Sequence, residues 1–154
     1  MQKIIQEIWK SEQKKMPCFD VIVYPDDTLT VLDFRVFYDP NTQKSTAEVT
    51  PLCDSNLESV LKYNPTRWAL VDKWTSLHHE NRRYLGGEGA YGNEGFIACE
   101  DLEGNLVWAM FFENTNPFCE LKIQDNWLIG ISEHRDAQIE INLNNLTEIN
   151  FVFY

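Results

Sequence analysis

The chain opens on an amphipathic stripe. Met1, Ile4, Ile5, Ile8 and Trp9 recur at helical spacing while Lys3, Glu7 and Lys10 fall off it, which predicts a helix over residues 1–15 ended by Pro17. The β-branched and aromatic run Cys18–Tyr24 predicts a strand, and Pro25-Asp26-Asp27 a turn. Thr28–Tyr38 then reads as a long strand. Leu32, Phe34, Val36 and Tyr38 alternate with Asp33 and Arg35, whereas Leu29 and Val31 have the opposite parity, so a bulge is expected near Val31–Leu32. Asp39-Pro40-Asn41 closes it, and a weaker strand covers Thr46–Thr50. Ser55 and Glu58 form a capping-box pattern ahead of a short helix with Leu57, Val60 and Leu61 on its apolar side, broken at Asn64-Pro65. Trp68, Leu70, Val71, Trp74 and Leu77 keep helical spacing, which predicts a second, longer helix over Arg67–Leu85 stopped by Gly86-Gly87.

From Glu94 onward the pattern becomes strand, turn, strand. The runs are Gly95–Glu100, Leu106–Phe112, Phe118–Ile123, Trp127–Ser132, Gln138–Leu143 and Ile149–Tyr154, separated by short polar turns. Leu106–Phe112 is apolar on both parities and is expected at the centre of the sheet, covered on both faces. Gln138–Leu143 alternates cleanly and should show one face to water. The pattern therefore predicts an α+β fold. An antiparallel meander of about six to eight strands would carry two or three helices, mostly from the N-terminal half.

At 154 residues the chain is expected to form a single domain, 1–154, with no need of a metal or disulfide staple. No apolar run reaches a membrane span, and the opening residues lack the apolar centre of a signal peptide, so a cytoplasmic location is expected. Cys18, Cys53, Cys99 and Cys119 include no C-x-x-C pair and read as reduced, buried thiols; Cys99 and Cys119 would be the first pair to consider for a disulfide. Charge changes the picture more. Residues 1–85 carry 11 bases and 12 acids, a net of −1; residues 86–154 carry Lys122 and Arg135 against 12 acids, a net of −10. So one-signed a segment attracts basic partners and repels nucleic acid and anionic membranes.

Candidate chemistry is sparse. Gly87, Gly89 and Gly92 fit G-x-G-x-x-G, but the predicted order is helix before and strand after, and Glu88 and Glu94 would repel phosphate. The stretch Gly86–Gly95 reads instead as an exposed connector presenting Glu88, Tyr91 and Glu94. His78-His79-Glu80 lacks the second histidine of a zincin helix, because position 83 is arginine, and no cofactor or metal is expected. No G-x-S-x-G occurs, and Asn145-Leu146-Thr147 is a glycosylation acceptor only in a secreted chain.

The run Asn126–Ser132, continued by Ile139-Glu140-Ile141-Asn142-Leu143 and Leu146-Thr147-Glu148-Ile149 and preceded by Gly92-Asn93-Glu94-Gly95-Phe96-Ile97-Ala98, resembles the small acidic immunity proteins encoded beside bacterial polymorphic and contact-dependent growth-inhibition toxins. The resemblance covers about the last 60 residues. It implies a cytosolic, non-catalytic protein that binds a cognate toxin domain and blocks it. Charge adds that the toxin would be basic, as nucleases are. The expected contacts are the loop carboxylates Glu88, Glu94, Asp101, Glu103, Asp125, Glu133 and Asp136, with Tyr91 and Trp127 as apolar anchors. Two alternatives stand beside this one. One is a small-ligand or carbohydrate-binding module using the sheet and glycine loop; the other is a hydrolase with Glu88 or Glu94 as base and His78 as its partner. The sequence leaves monomer or dimer open.

Overall fold

The computed structural model describes residues 3–63 and 67–154. In chain order its elements are α1 (Ile4–Trp9), β1 (Lys15–Pro17), β2 (Val21–Val23), β3 (Thr28–Asp39), β4 (Lys44–Asn56), α2 (Leu57–Tyr63), β5 (Trp68–Leu70), β6 (Asp72–His79), β7 (Arg82–Glu88), β8 (Gly95–Asp101), β9 (Leu106–Phe112), β10 (Phe118–Gln124), β11 (Trp127–Ser132), β12 (Ala137–Asn142) and β13 (Ile149–Phe153). The α+β expectation is overturned. The described chain is mostly antiparallel β, with an eleven-stranded sheet in the order β10-β11-β12-β13-β4-β3-β2-β9-β8-β7-β6. The two edge strands, β10 and β6, come to lie against one another without a ladder, so the sheet curls into a nearly closed barrel.

The predicted helix over Arg67–Leu85 is instead three strands. β5 pairs with β1 in a small sheet of its own, Met16 opposite Ala69. β6 and β7 form a hairpin whose turn is Glu80-Asn81, both at positive φ (47° and 62°), the two-residue geometry whose twist suits a hairpin. Gly86-Gly87 lies within β7 and stops nothing. The first helix is also shorter than expected: α1 ends at Trp9, and Met1 and Asn64-Pro65 lie outside the described residues. The first helix is held from a distant turn, and the second is capped by a neighbour of the expected residue. The Ile4 and Ile5 N–H groups donate to Asp27 Oδ2 and Oδ1 at 2.9 and 2.8 Å, fastening α1 to the β2–β3 turn. At α2, Asn56 Oδ1, not Ser55, accepts the Ser59 N–H at 2.8 Å.

All six later strands form where the pattern places them, and the β3–β4 register shifts between Val31 and Leu32, where the parity change lies. Strand β9 is covered on both faces for a definite reason. Trp108, Met110 and Phe112 point into the barrel, with Ile22, Ile97, Phe118, Leu128, Ile139 and Phe151. Leu106, Ala109 and Phe111 point outward, beneath a cap of α1, α2, β1 and β5 that brings Ile5, Trp9, Met16 and Leu57. The helices therefore supply the lid of a second, outer core, which buries Trp9, Phe96 and Phe111.

The cysteines divide. None is disulfide-bonded, Cys99 is buried, Cys18 and Cys119 are half-buried, and Cys53 is exposed, so the expectation of four buried thiols is corrected. Burial pushes the Cys99 thiol up to about 11, which keeps it protonated and unreactive at neutral pH. Iodoacetamide mass mapping of the native protein should label Cys53 first and Cys99 last.

Candidate functional site

Loops of an antiparallel barrel alternate between its two ends, and this sorts the candidate residues. The connections 89–94, 113–117 and 133–136 share one end with the β3–β4 tip and Tyr154. Hydrogen bonds tie that end together: Asn116 N–H to Asn93 O, Glu133 N–H to Pro117 O, and Tyr154 N–H to Asp136 O, at 2.9, 2.8 and 3.0 Å. Asp101, the last residue of β8, and the loops carrying Glu103 and Asp125 lie at the opposite end, with Trp127 at the start of β11 beside them. The nine residues do not form one rim. Glu88, Tyr91, Glu94, Glu133 and Asp136 share an end; Asp101, Glu103, Asp125 and Trp127 share the other.

Several carboxylates have structural duties. Glu94 is buried: its Oε1 accepts the Tyr91 N–H at 2.8 Å and its Oε2 the Cys18 thiol at 3.2 Å. It organises the 89–94 loop and cannot reach a partner. Asp101 accepts the Asn105 side-chain amide and the Glu103 and Asn105 N–H groups, each at 2.9 Å, and these bonds hold its carboxyl below the usual range. Asp136 accepts the Ser132 hydroxyl, and Glu133 sits 3.1 Å from His134. Glu103 and Asp125 are exposed, and Glu88 is half-buried at the end of β7. Trp127 is half-buried; Tyr91 is exposed, with Arg67 lying 5.1 Å from its ring centroid. The hydrolase constellation is not assembled, because His78 lies near the β6–β7 turn at one end and Glu88 and Glu94 at the other. Among the described residues no group of three His, Cys, Asp or Glu is arranged to hold a metal ion, and no helix is long and apolar enough to cross a membrane.

One acid at the shared end is held under strain of charge. Asp20 is driven up to about 6 by burial, with the Glu113 and Asp33 carboxylates adding to the effect and the hydrogen bond from the Glu113 N–H (2.9 Å) opposing it. A carboxyl raised above its unfolded value near 3.8 binds its proton more tightly when folded. Its stabilising contribution is therefore complete below pH ~3.8 and is lost as pH rises through ~6. Asp20→Asn keeps an acceptor for the Glu113 N–H and removes the buried charge. It should raise stability at pH 7.5 by about 2 kcal/mol and leave it unchanged near pH 3.5, in urea unfolding at both pH values.

The feature that sequence reasoning missed is the distal part of the β3–β4 hairpin. Phe34 still packs inward, 6.1 Å from Phe112 and 5.2 Å from Phe151 between ring centroids. The same alternation continues through Val36 and Tyr38, but by then the strand has left the barrel, and Tyr38 is 62% exposed. Phe37, on the opposite parity, is exposed as well, as are Val152, Phe153 and Tyr154 at the end of β13. These segments adjoin: Gln43, Lys44 and Ser45 share a depression with Asp136, Phe153 and Tyr154. Strand β13 pairs with β4 only at Ile149–Val49, so the two strands border an open groove of about 570 Å³. Its only ionisable lining residues are Glu48 and Glu140. An apolar stripe thus runs out of the core onto a projecting hairpin, beside a groove of negative charge. The alternation was visible in the sequence; where the barrel ends was not.

Set against family models, curated proteins and solved structures, the chain matches none.

Proposed function

We propose that the chain is a non-catalytic inhibitor that docks a basic toxin domain through the distal β3–β4 hairpin and the adjoining end of β13. The observation that carries this reading is the number of large apolar side chains left open to water on the two faces of the hairpin tip (Val36 and Tyr38 on one, Phe37 on the other) and at the adjoining end of β13 (Val152, Phe153 and Tyr154). Monomeric proteins seldom leave so many large apolar groups exposed in one region. Around it stand Asp39, Glu48, Glu133, Asp136 and Glu140 against Arg35, Lys44 and Arg135, and over β10–β13 and their loops six acids face Lys122 and Arg135, so the surroundings are acidic on balance. An apolar centre within a carboxylate rim favours a partner whose own surface is cationic, as the active site of a nuclease is. The mechanism is occlusion. The hairpin covers the toxin's active site or its border, and the rim speeds encounter.

The test is a growth-rescue assay against basic nuclease toxin domains, beginning with the C-terminal domain of any large secreted protein found to be encoded immediately upstream of this chain's gene. Co-expression of the wild-type chain should restore growth and give a stable complex. Phe37→Ser combined with Tyr38→Ser, both on exposed positions, should leave the melting temperature unchanged and weaken the complex about 100-fold, losing rescue. Association should slow as salt rises from 0.1 to 1 M, because the screening length falls from ~10 to ~3 Å. A partner that binds the double variant as well as the wild type would remove the hairpin reading, and an acidic partner would remove the charge reading.

A further inference from the structure

On the opposite wall from the hairpin, cations gather around a pocket of about 420 Å³. Lys10, Lys14, Lys73 and Arg83 line it, over a floor that includes Leu85 and Phe96. In a chain with 13 bases and 24 acids, four bases at one concavity is a marked departure from the general distribution. From this cluster we infer a binding site for a small phosphomonoester, which the Arg83 guanidinium and the Lys73 ammonium clasp at its oxyanion.

Three observations specify the ligand. First, Arg83 is preorganised. Its Nε–H donates at 3.0 Å to Glu100 Oε1, and Glu100 is itself buried, its Oε2 taken by the Trp9 indole N–H at 2.7 Å. A guanidinium fixed through Nε keeps both Nη groups for a two-pronged hold on an oxyanion. Second, the donors are in surplus. Lys10 Nζ meets Asn105 Oδ1 and Lys14 Nζ meets the Trp9 carbonyl, both neutral acceptors, and the Lys73 ammonium has no side-chain hydrogen bond or ion pair among the described residues. Third, the charge is matched to a dianion. Four cations against the two carboxylates of the lining, Glu100 and Glu103, leave two positive charges, and a phosphomonoester near neutral pH carries about −1.5 to −2. The apolar floor of Leu85 and Phe96 favours an ester with a flat organic group over free phosphate. This pocket lies apart from the hairpin, so the site stands or falls independently of the inhibitor reading.

The test uses the full chain, ¹⁵N-labelled, titrated separately with phenyl phosphate, inorganic phosphate and benzoate at constant ionic strength. The expected result is saturable shifts at Leu85, Phe96 and Gly104 amides, with phenyl phosphate bound more tightly than inorganic phosphate and benzoate weakest. Lys73→Met, on an exposed strand position, should weaken phenyl phosphate about tenfold. Arg83→Lys, which retains a charge for Glu100 but loses the fork, should weaken it similarly, whereas Lys62→Met on α2 should change nothing. No saturable shift, equal affinity for benzoate and phenyl phosphate, or full affinity in Lys73→Met would overturn the proposal.

Discussion

Glu100→Ala should lower the free energy of unfolding by about 3–5 kcal/mol, read as a shift in the urea midpoint at constant slope. The carboxylate lies on the outer face of β8 at 4% exposure, beneath α1. It accepts the Trp9 indole N–H at 2.7 Å and the Arg83 Nε–H at 3.0 Å. Truncation would leave an indole N–H without an acceptor and a half-buried guanidinium without its counter-charge, and each omission is costly where water cannot replace the lost partner. The loss should come mainly from broken complementarity rather than from any large net worth of the pair. The triple variant Trp9→Phe, Arg83→Met, Glu100→Met, which removes all three polar groups together, should recover most of the stability. A triple variant as unstable as Glu100→Ala would mean instead that the pair itself contributes strongly. Because Trp9 belongs to α1, the same contact fixes the first helix over the outer core that α1 helps to close.

The six later strands were legible because each is one arm of a short-turned hairpin, and alternation in such strands reports burial directly. Strand β12, with Ala137, Ile139 and Ile141 buried and Gln138, Glu140 and Asn142 partly exposed, is the plainest case. Residues 67–85 were not legible, and two breaks of parity explain why. Between β5 and β6 the chain changes sheet at Val71, and within β6 the register shifts between Lys73 and Thr75, leaving Trp74 as the bulged residue. The change of sheet and the bulge each offset the alternation by one residue. Trp68, Val71, Trp74 and Leu77 thus acquire the spacing of a helix face although none belongs to one. Of the two N-terminal helices expected, α1 is only shorter than the pattern suggested and α2 stands where it was expected; both serve as lids. For the functional surface, Glu94, Glu103, Asp125, Glu133 and Asp136 do fall in loops while Glu88 and Asp101 are the last residues of β7 and β8, but successive hairpin loops point to opposite ends, so Glu133 and Asp125 could never share a rim. Long-range closure, which decides where the β3 alternation meets solvent, leaves no mark in local pattern.

The adjacent glycines Gly86 and Gly87 separate the two accounts of that region. If they ended a helix, Ala at either position would cost about 1 kcal/mol or less. In the hairpin, neither is at positive φ, and what makes them glycine is the space above them. A Cβ on Gly86 would meet Leu121 Cδ2 and Thr75 Cγ2 at 3.3 Å, both ends of side chains that can shift. Gly86→Ala should therefore change stability by less than about 1 kcal/mol. A Cβ on Gly87 would collide with the Asp72 carbonyl oxygen and lie 2.9 Å from the Trp74 backbone nitrogen. Those atoms belong to the bulged backbone of β6 that crosses over this position, and backbone held in a ladder cannot rotate out of the way. Gly87→Ala should cost about 3 kcal/mol or more, and hydrogen exchange should place the damage in β6 and its pairing with β7. Since β6 is an edge strand resting against β10, loosening it should also raise exchange along the seam where the barrel closes. Equal, small effects at the two glycines would contradict the bulged crossing and with it the strand assignment of residues 72–88.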